Sequence, residues 1–509
     1  MFLVVGNLGG VGLNKDITPT QLPANVWSSV SNIRCENGQI GTFAGYGDFE
    51  TPSIVPYYLL PVADATDYYW IYAGLDKVYE WNGTAHVDIT RASGDYTGSA
   101  TNRWNGCLIN GIPILNNGVD HPQMWNPVAP ATDLNIITGW DTDWTAKVIR
   151  SYKDYLFAFD VTKTATRYQY MVKWSAAGSG GLPGDWDETS TTNDAGETTL
   201  GDTLGGLVDA KPLKDAFIIY KEDSVYGCQY TGGQNVHRFY RISGLIGALA
   251  QDCMVEFIGG HFVVGNGDVY IHDGQNGHSV IDKQNKDFLF ESIDADNYLN
   301  TYVVLFEGKA EIWICYPNNG ATHPNKALIW NYIDKTWFYR DLPTGTTFIS
   351  PGIITSGVGT WDTLPYASWE DWPGVWGSRS YSPVVKSLVG VTTETKLYQF
   401  EDGNQFDEVN AYCMCERTSL DIGESSDFHT INAIYPDIEG GAVDIYVGSQ
   451  QRINDTVTWE GPYSFDPSTQ RKIDCRVTGN LHSIRFESTA NRSWSLSSYE
   501  VDFRKAGKR

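Results

Sequence analysis

Short runs rich in β-branched and aromatic residues, closed by Asn-Gly or Asp-Gly, recur along almost the whole chain. Those dipeptides accept the positive φ angles of tight hairpins, so each closure predicts two antiparallel strands. One unit reads Tyr69–Gly74, Lys77–Trp81, Asn82-Gly83 and His86–Thr90: strand, strand, hairpin turn, strand. A second runs from Arg103 to Pro127, with Cys107–Asn110, Ile112–Asn116, Asn117-Gly118 and Gln123–Trp125. A third pairs Tyr155–Asp160 with Tyr170–Trp174, and a fourth holds Ala216–Tyr220, Asp223–Gly227 and His237–Tyr240. His261–Gly265 and Gly267–His272 open a fifth, which Asp273-Gly274 closes. Ala310–Cys315, Ala327–Asn331 and Thr336–Tyr339 form a sixth, and Lys396–Phe400 with Asp402-Gly403 ends a seventh. Helical spacing of apolar residues, free of Gly and β-branched breakers, is nearly absent.

Units of strand, strand, hairpin and strand at roughly 40 to 60 residues match the four-stranded blade of a β-propeller. The expected fold is therefore all-β, with a propeller of six to eight blades over residues 51–407. Residues 1–50 read as an N-terminal arm with the first propeller strands. After about residue 408 the pattern changes to strict alternation, in Asn432–Tyr435, Val443–Val447, Ser483–Glu487 and Tyr499–Phe503. Strands of that kind bury one face, so residues 408–509 read as an antiparallel sandwich-like domain. A length of 509 residues suits this division, because one hydrophobic core stops growing well below that size.

Two stretches break the strand pattern. Gly178–Thr199 is rich in Gly, Ser, Thr and Asp and reads as an exposed loop. Trp361–Trp376 carries Trp361, Tyr366, Trp369, Trp372 and Trp376 around two prolines, which no regular inner strand tolerates. It reads as a long insertion whose aromatics need a surface to cover them, either a neighbouring subunit or the chain's own domain. The C-terminal Arg504, Lys505, Lys508 and Arg509 form a basic tail on an acidic chain, read either as a frayed end or as a docking element.

The formal net charge is -25. Proteins that grip nucleic acid displace counterions with Lys and Arg, and this composition opposes that over most of the surface. Two uses remain: solubility, or an acidic wall along which DNA passes without sticking. Of the eight cysteines, the six outside the Cys413–Cys415 pair are scattered or lie in apolar strand-like runs, and Cys413 and Cys415 are too close for an ordinary bridge. Free buried thiols and assembly in a reducing cytoplasm are expected. No segment has 18 continuous apolar residues, and the N-terminus lacks the basic region of a signal peptide.

Candidate chemistry is sparse. Asp294 with Asp296 and Asn297, Asp141 with Asp143, and Asp185 with Asp187 look like fragments of calcium loops, but none has the full ligand spacing. No Cys/His zinc spacing, Walker loop or nucleophile elbow occurs, and no paired carboxylates stand out. No catalytic, cofactor-binding or metal residue is expected.

Several segments together resemble the propeller-containing tail proteins of short-tailed bacteriophages, of the nozzle or stabilisation type. They are Gly12–Asp16, Leu22-Pro23, Val30–Arg34 with Asn37-Gly38, Tyr152–Phe157, Lys173–Ser175 and Pro183–Trp186. Pro212–Asp215, Tyr220–Asp223, Gly265–Gly274, Asn325–Trp330, Thr336–Pro343 and Tyr499–Phe503 with Ala506-Gly507 continue the likeness. The resemblance implies a structural virion protein, assembled in the host bacterial cytoplasm. It implies a homo-hexameric ring below the portal and adaptor of the head–tail connector, with tail fibres or spikes nearby. Double-stranded DNA would pass through during ejection without sequence-specific binding. It implies no enzyme activity and no cofactor. Two other readings compete: a receptor- or glycan-binding propeller, and a carbohydrate-active enzyme of the virion.

Overall fold

The computed structural model describes the chain except residues 64–67, 127–132, 180–181, 234–235, 355–385, 424–426, 454 and 509. Its described residues form seven antiparallel blades. Blades 1 to 6 span 58–88, 105–136, 144–199, 207–243, 254–279 and 302–341. Blade 7 takes three strands from 346–400, and its fourth comes from the N-terminal region. That fourth strand, Tyr46–Glu50, pairs antiparallel with Leu397–Phe400, so a segment distant in sequence closes the ring. Closure also brings the innermost strands of blades 7 and 1 together, where the Tyr58 and Phe348 rings lie 4.9 Å apart. A closed propeller leaves only short, protected sheet edges.

The hairpins follow the turn chemistry. Asn110 and Gly111 take φ of 51° and 82°, the mirror-image turn that joins Ile109 to its partner Ile112. The expected units fall on the outer strands of the blades, and most start one strand late. The innermost strands Trp144–Tyr152, Leu207–Leu213, Tyr302–Phe306 and Thr346–Gly352 were not among them. Several of these carry charge toward the propeller axis, as Arg150 and Lys211 do, and so lack the apolar alternation that betrays a strand.

Of the first fifty residues, only Tyr46–Glu50 completes a propeller blade. We label the others β1 (Phe2–Gly6), β2 (Ser29–Ser31), β3 (Ile33–Glu36) and β4 (Gln39–Thr42). β2 edges a five-stranded sheet with Cys413–Leu420, Leu481–Ser488, Val443–Gln450 and Thr458–Phe465. β1 and β4 lie along Trp494–Lys508, which pairs on its other side with Asp427–Gly440. These two sheets enclose Ile434, Ile445, Phe486 and Tyr499, all fully buried, and form the expected C-terminal sandwich. β3 pairs with the outermost strand of blade 6 through Ile33 and Tyr339, so one ten-stranded sheet runs from propeller into sandwich. The largest apolar core is continuous across this joint and includes Trp27, Trp313 and Trp337. Fully burying each such side chain contributes about 2–3 kcal/mol.

Candidate functional site

The innermost strands converge on the propeller axis, where side chains distant in sequence meet. Arg150 on blade 3 donates from Nε and Nη2 to Asp209 on blade 4, at 2.7 and 2.8 Å. Its Nη2 also donates to Asp252 at 2.8 Å, in the turn that enters blade 5. The Asp252 N–H donates to Asp209 at 2.9 Å. Arg103, ahead of blade 2, donates to the carbonyls of Gln251 and Leu299 at 2.8 and 2.6 Å and lies 3.9 Å from Asp252. Burial would raise the Asp252 carboxyl, but Arg150, Lys211 and Arg103 outweigh it and hold the group below its ordinary range. Burial likewise opposes the Arg150 charge, and Asp209 and Asp252 overcome it. This network ties blades 3, 4 and 5 together.

A cavity lies on each side of it. On the face where the innermost strands begin, an open cavity of about 820 Å³ lies among Arg103, Lys147, Arg167, Glu222, Phe290 and Tyr298. Toward the face where they end, about 420 Å³ lies among Tyr58, Cys107, Lys211, Val255 and Phe348. Lys386 and Glu307 form an exposed ion pair of 3.3 Å at the mouth of the second cavity.

Trp361, Tyr366, Trp369, Trp372 and Trp376 lie outside the described residues. The strands on either side of them are described: Gly352 pairs with Ser387, so the insertion leaves blade 7 at the end of its innermost strand, beside that mouth. The basic tail is not a frayed end. Arg504 and Lys505 belong to the strand Trp494–Lys508 and pair in register with Thr430 and His429. The Lys505 ammonium contacts the buried Asp427 carboxylate, which removes it from the set available for docking. Lys508 pairs with Asp427 along the backbone, and Arg509 lies outside the described residues.

The acidic fragments are turns. Asp294 accepts from the N–H groups of Asp296, Asn297 and Gly320 at 3.1, 3.0 and 2.8 Å, so its carboxylate caps a loop. Asp141 and Asp187 accept from Asp143 and Thr189 in the same manner. Among the described residues no group of three or more His, Cys, Asp or Glu could hold a metal ion. All eight cysteines are free, six of them buried. Burial pushes the Cys35, Cys107 and Cys253 thiols up to about 12, which makes them inert at neutral pH.

The axial network was not anticipated from the sequence. Arg103, Arg150, Asp209 and Asp252 share no spacing, and only the closure of the propeller gives them a common neighbourhood.

No family model matches the chain, and no curated protein does. Among solved structures, the chain is similar to the WD40 β-propeller domain of Doa1, with a TM-score of 0.39 and 11% identity over 70% of this chain and 97% of that one. It is also similar to YCF48 from Cyanidioschyzon merolae, with a TM-score of 0.36 and 8% identity over 70% of this chain and 98% of that one. A structure of YCF48 bound to D1 peptide gives 0.38 and 10% over 70% and 97%. By its own sheets, the chain is an all-β protein in which a seven-bladed propeller is joined to a β-sandwich.

Proposed function

We propose that this protein is a structural subunit of a short phage tail, a nozzle component that closes into a ring, extends the portal–adaptor channel and conducts genomic DNA during ejection. One observation carries the reading. Segments on which the resemblance rests, more than three hundred residues apart in sequence, meet at the joint between propeller and sandwich. Leu13 donates to the Trp337 carbonyl at 2.8 Å, and Asn32 exchanges bonds of 2.9 and 2.8 Å with Asp341. The family-like sequence thus encodes a stiff two-domain block. A conduit wall needs such a block, because it holds its shape while pressurised DNA passes. Rings form from heterologous contacts that close by rotation. The net charge of -25 suits a wall that repels phosphate, within roughly 8 Å at physiological salt. We assign the chain no catalytic role.

A second reading, a receptor- or glycan-binding propeller, draws on the larger cavity, where Tyr298 is 38% exposed. Electron microscopy of the purified protein, alone and mixed with a portal–adaptor complex, separates the two. A six-fold ring with a channel wide enough for duplex DNA supports the conduit. A persistent monomer that ignores the complex and binds glycans overturns it.

A further inference from the structure

The cavity at the end of the innermost strands has an unbalanced charge. Its lining carries three cations, Arg150, Lys211 and Lys386, and two carboxylates, Asp252 and Glu307. Arg150, with Arg103 behind it, already engages Asp252, and Lys386 pairs with Glu307. Lys211 lines the cavity and is partly buried, and its ammonium makes no hydrogen bond or ion pair to any described residue. Burial lowers its proton affinity, and Asp252 and Asp209 restore part of it. A partly desolvated cation without a hydrogen-bonded anion is costly. An anion entering from the mouth relieves that cost, whereas a second cation adds to it.

The rest of the wall sets the shape of the guest. Leu60, Val255, Val303 and Phe348 give it an apolar lining, and Ser151 lies on the same wall as Lys211. The volume of about 420 Å³ matches a small organic molecule. We propose that this half of the propeller axis binds a small organic monoanion with an apolar body, its carboxylate or sulfonate seated on Lys211 and its ring or chain against Val255 and Phe348. The site belongs to a single chain, so it is independent of whether copies form a ring.

4-Phenylbutyrate, which pairs one carboxylate with one ring, is the probe, and 4-phenylbutanol is its uncharged match. Calorimetric titration of the full chain is expected to show one phenylbutyrate site and binding of phenylbutanol weaker by about tenfold or more. Lys211→Met is expected to lose phenylbutyrate affinity by a similar factor while its circular dichroism is unchanged. Acetylation mapping of the unmodified chain covers the case in which that variant misfolds: saturating phenylbutyrate is expected to protect Lys211 and leave the exposed Lys472 unprotected. Equal binding of acid and alcohol, absence of binding at millimolar probe, or acetylation of Lys211 that ignores the probe would each overturn the assignment.

Discussion

Arg34 on β3 donates from Nε to Glu311 of blade 6 at 2.6 Å, across 277 residues of sequence, with the Glu311 side chain 1% exposed. The same guanidinium donates to Glu401, just past the third strand of blade 7, at 2.7 and 2.8 Å. Arg340 completes the cluster, donating to Glu401 at 3.2 Å and stacking over Phe43. Two arginines and two glutamates therefore neutralise one another where the N-terminal region, blades 6 and 7 and the sandwich meet.

Removing one member strands the others. Arg34→Met should destabilise the chain by about 3–5 kcal/mol, because Glu311 is left buried and unpaired. Urea unfolding followed by tryptophan fluorescence measures it. A loss below about 1 kcal/mol would mean that water reaches the joint and the pair is not structural.

Stability should fall as the solution is acidified, in a window set by histidines. Burial holds His237, His261 and His482 at about 4, against 6.5 when exposed. Below pH 6.5 the unfolded chain binds protons that the folded chain refuses, so stability is lost down to about pH 4 and is unaffected above 6.5. Each group contributes roughly 3 kcal/mol across that window. Urea midpoints at pH 7 and 4.5 test this, and His482→Phe should flatten the slope.

Trimming the tail from Arg504 should weaken the sandwich as well as any docking. Residues 504–508 pair with 427–430, and the cut also removes the Lys505 ammonium from Asp427, whose side chain is 2% exposed. Lys505→Ala alone should cost only about 1 kcal/mol, since Lys505 is 42% exposed and solvent screens the pair. Thermal melts of both variants separate backbone pairing from charge; equal melting temperatures for the trimmed and intact chains would show that these pairs add nothing.

Deleting 362–374 should leave the fold intact, because Gly352 and Ser387 are already joined in blade 7. Circular dichroism should match the intact chain while ring counts in micrographs fall. Unchanged ring counts would remove the interface role of the Trp-rich insertion.

The β-rich fold and its hairpins were legible because they are local. Asn82-Gly83 marks the hairpin that pairs Val78–Trp81 with His86–Asp88, and the alternation in Val443–Val447 announces one buried face. The acidic pairs were legible as turns for the same reason: Asp294 bonds within its own neighbourhood. Other features depend on pairing across the chain. The count of seven blades and the fourth strand of blade 7, supplied by Tyr46–Glu50, follow from ring closure. Residues 1–50 read as an arm with the first propeller strands because β1, β2 and β4 find partners more than three hundred residues away in sequence, and the tail at Lys505 read as a frayed end or a docking element because nothing local announces Asp427. The axial network and the Lys211 cavity needed five strands or turns brought to one axis. Local chemistry sets which segments become strands, but burial and charge compensation choose which strands meet, and those energies exist only once the ring has closed.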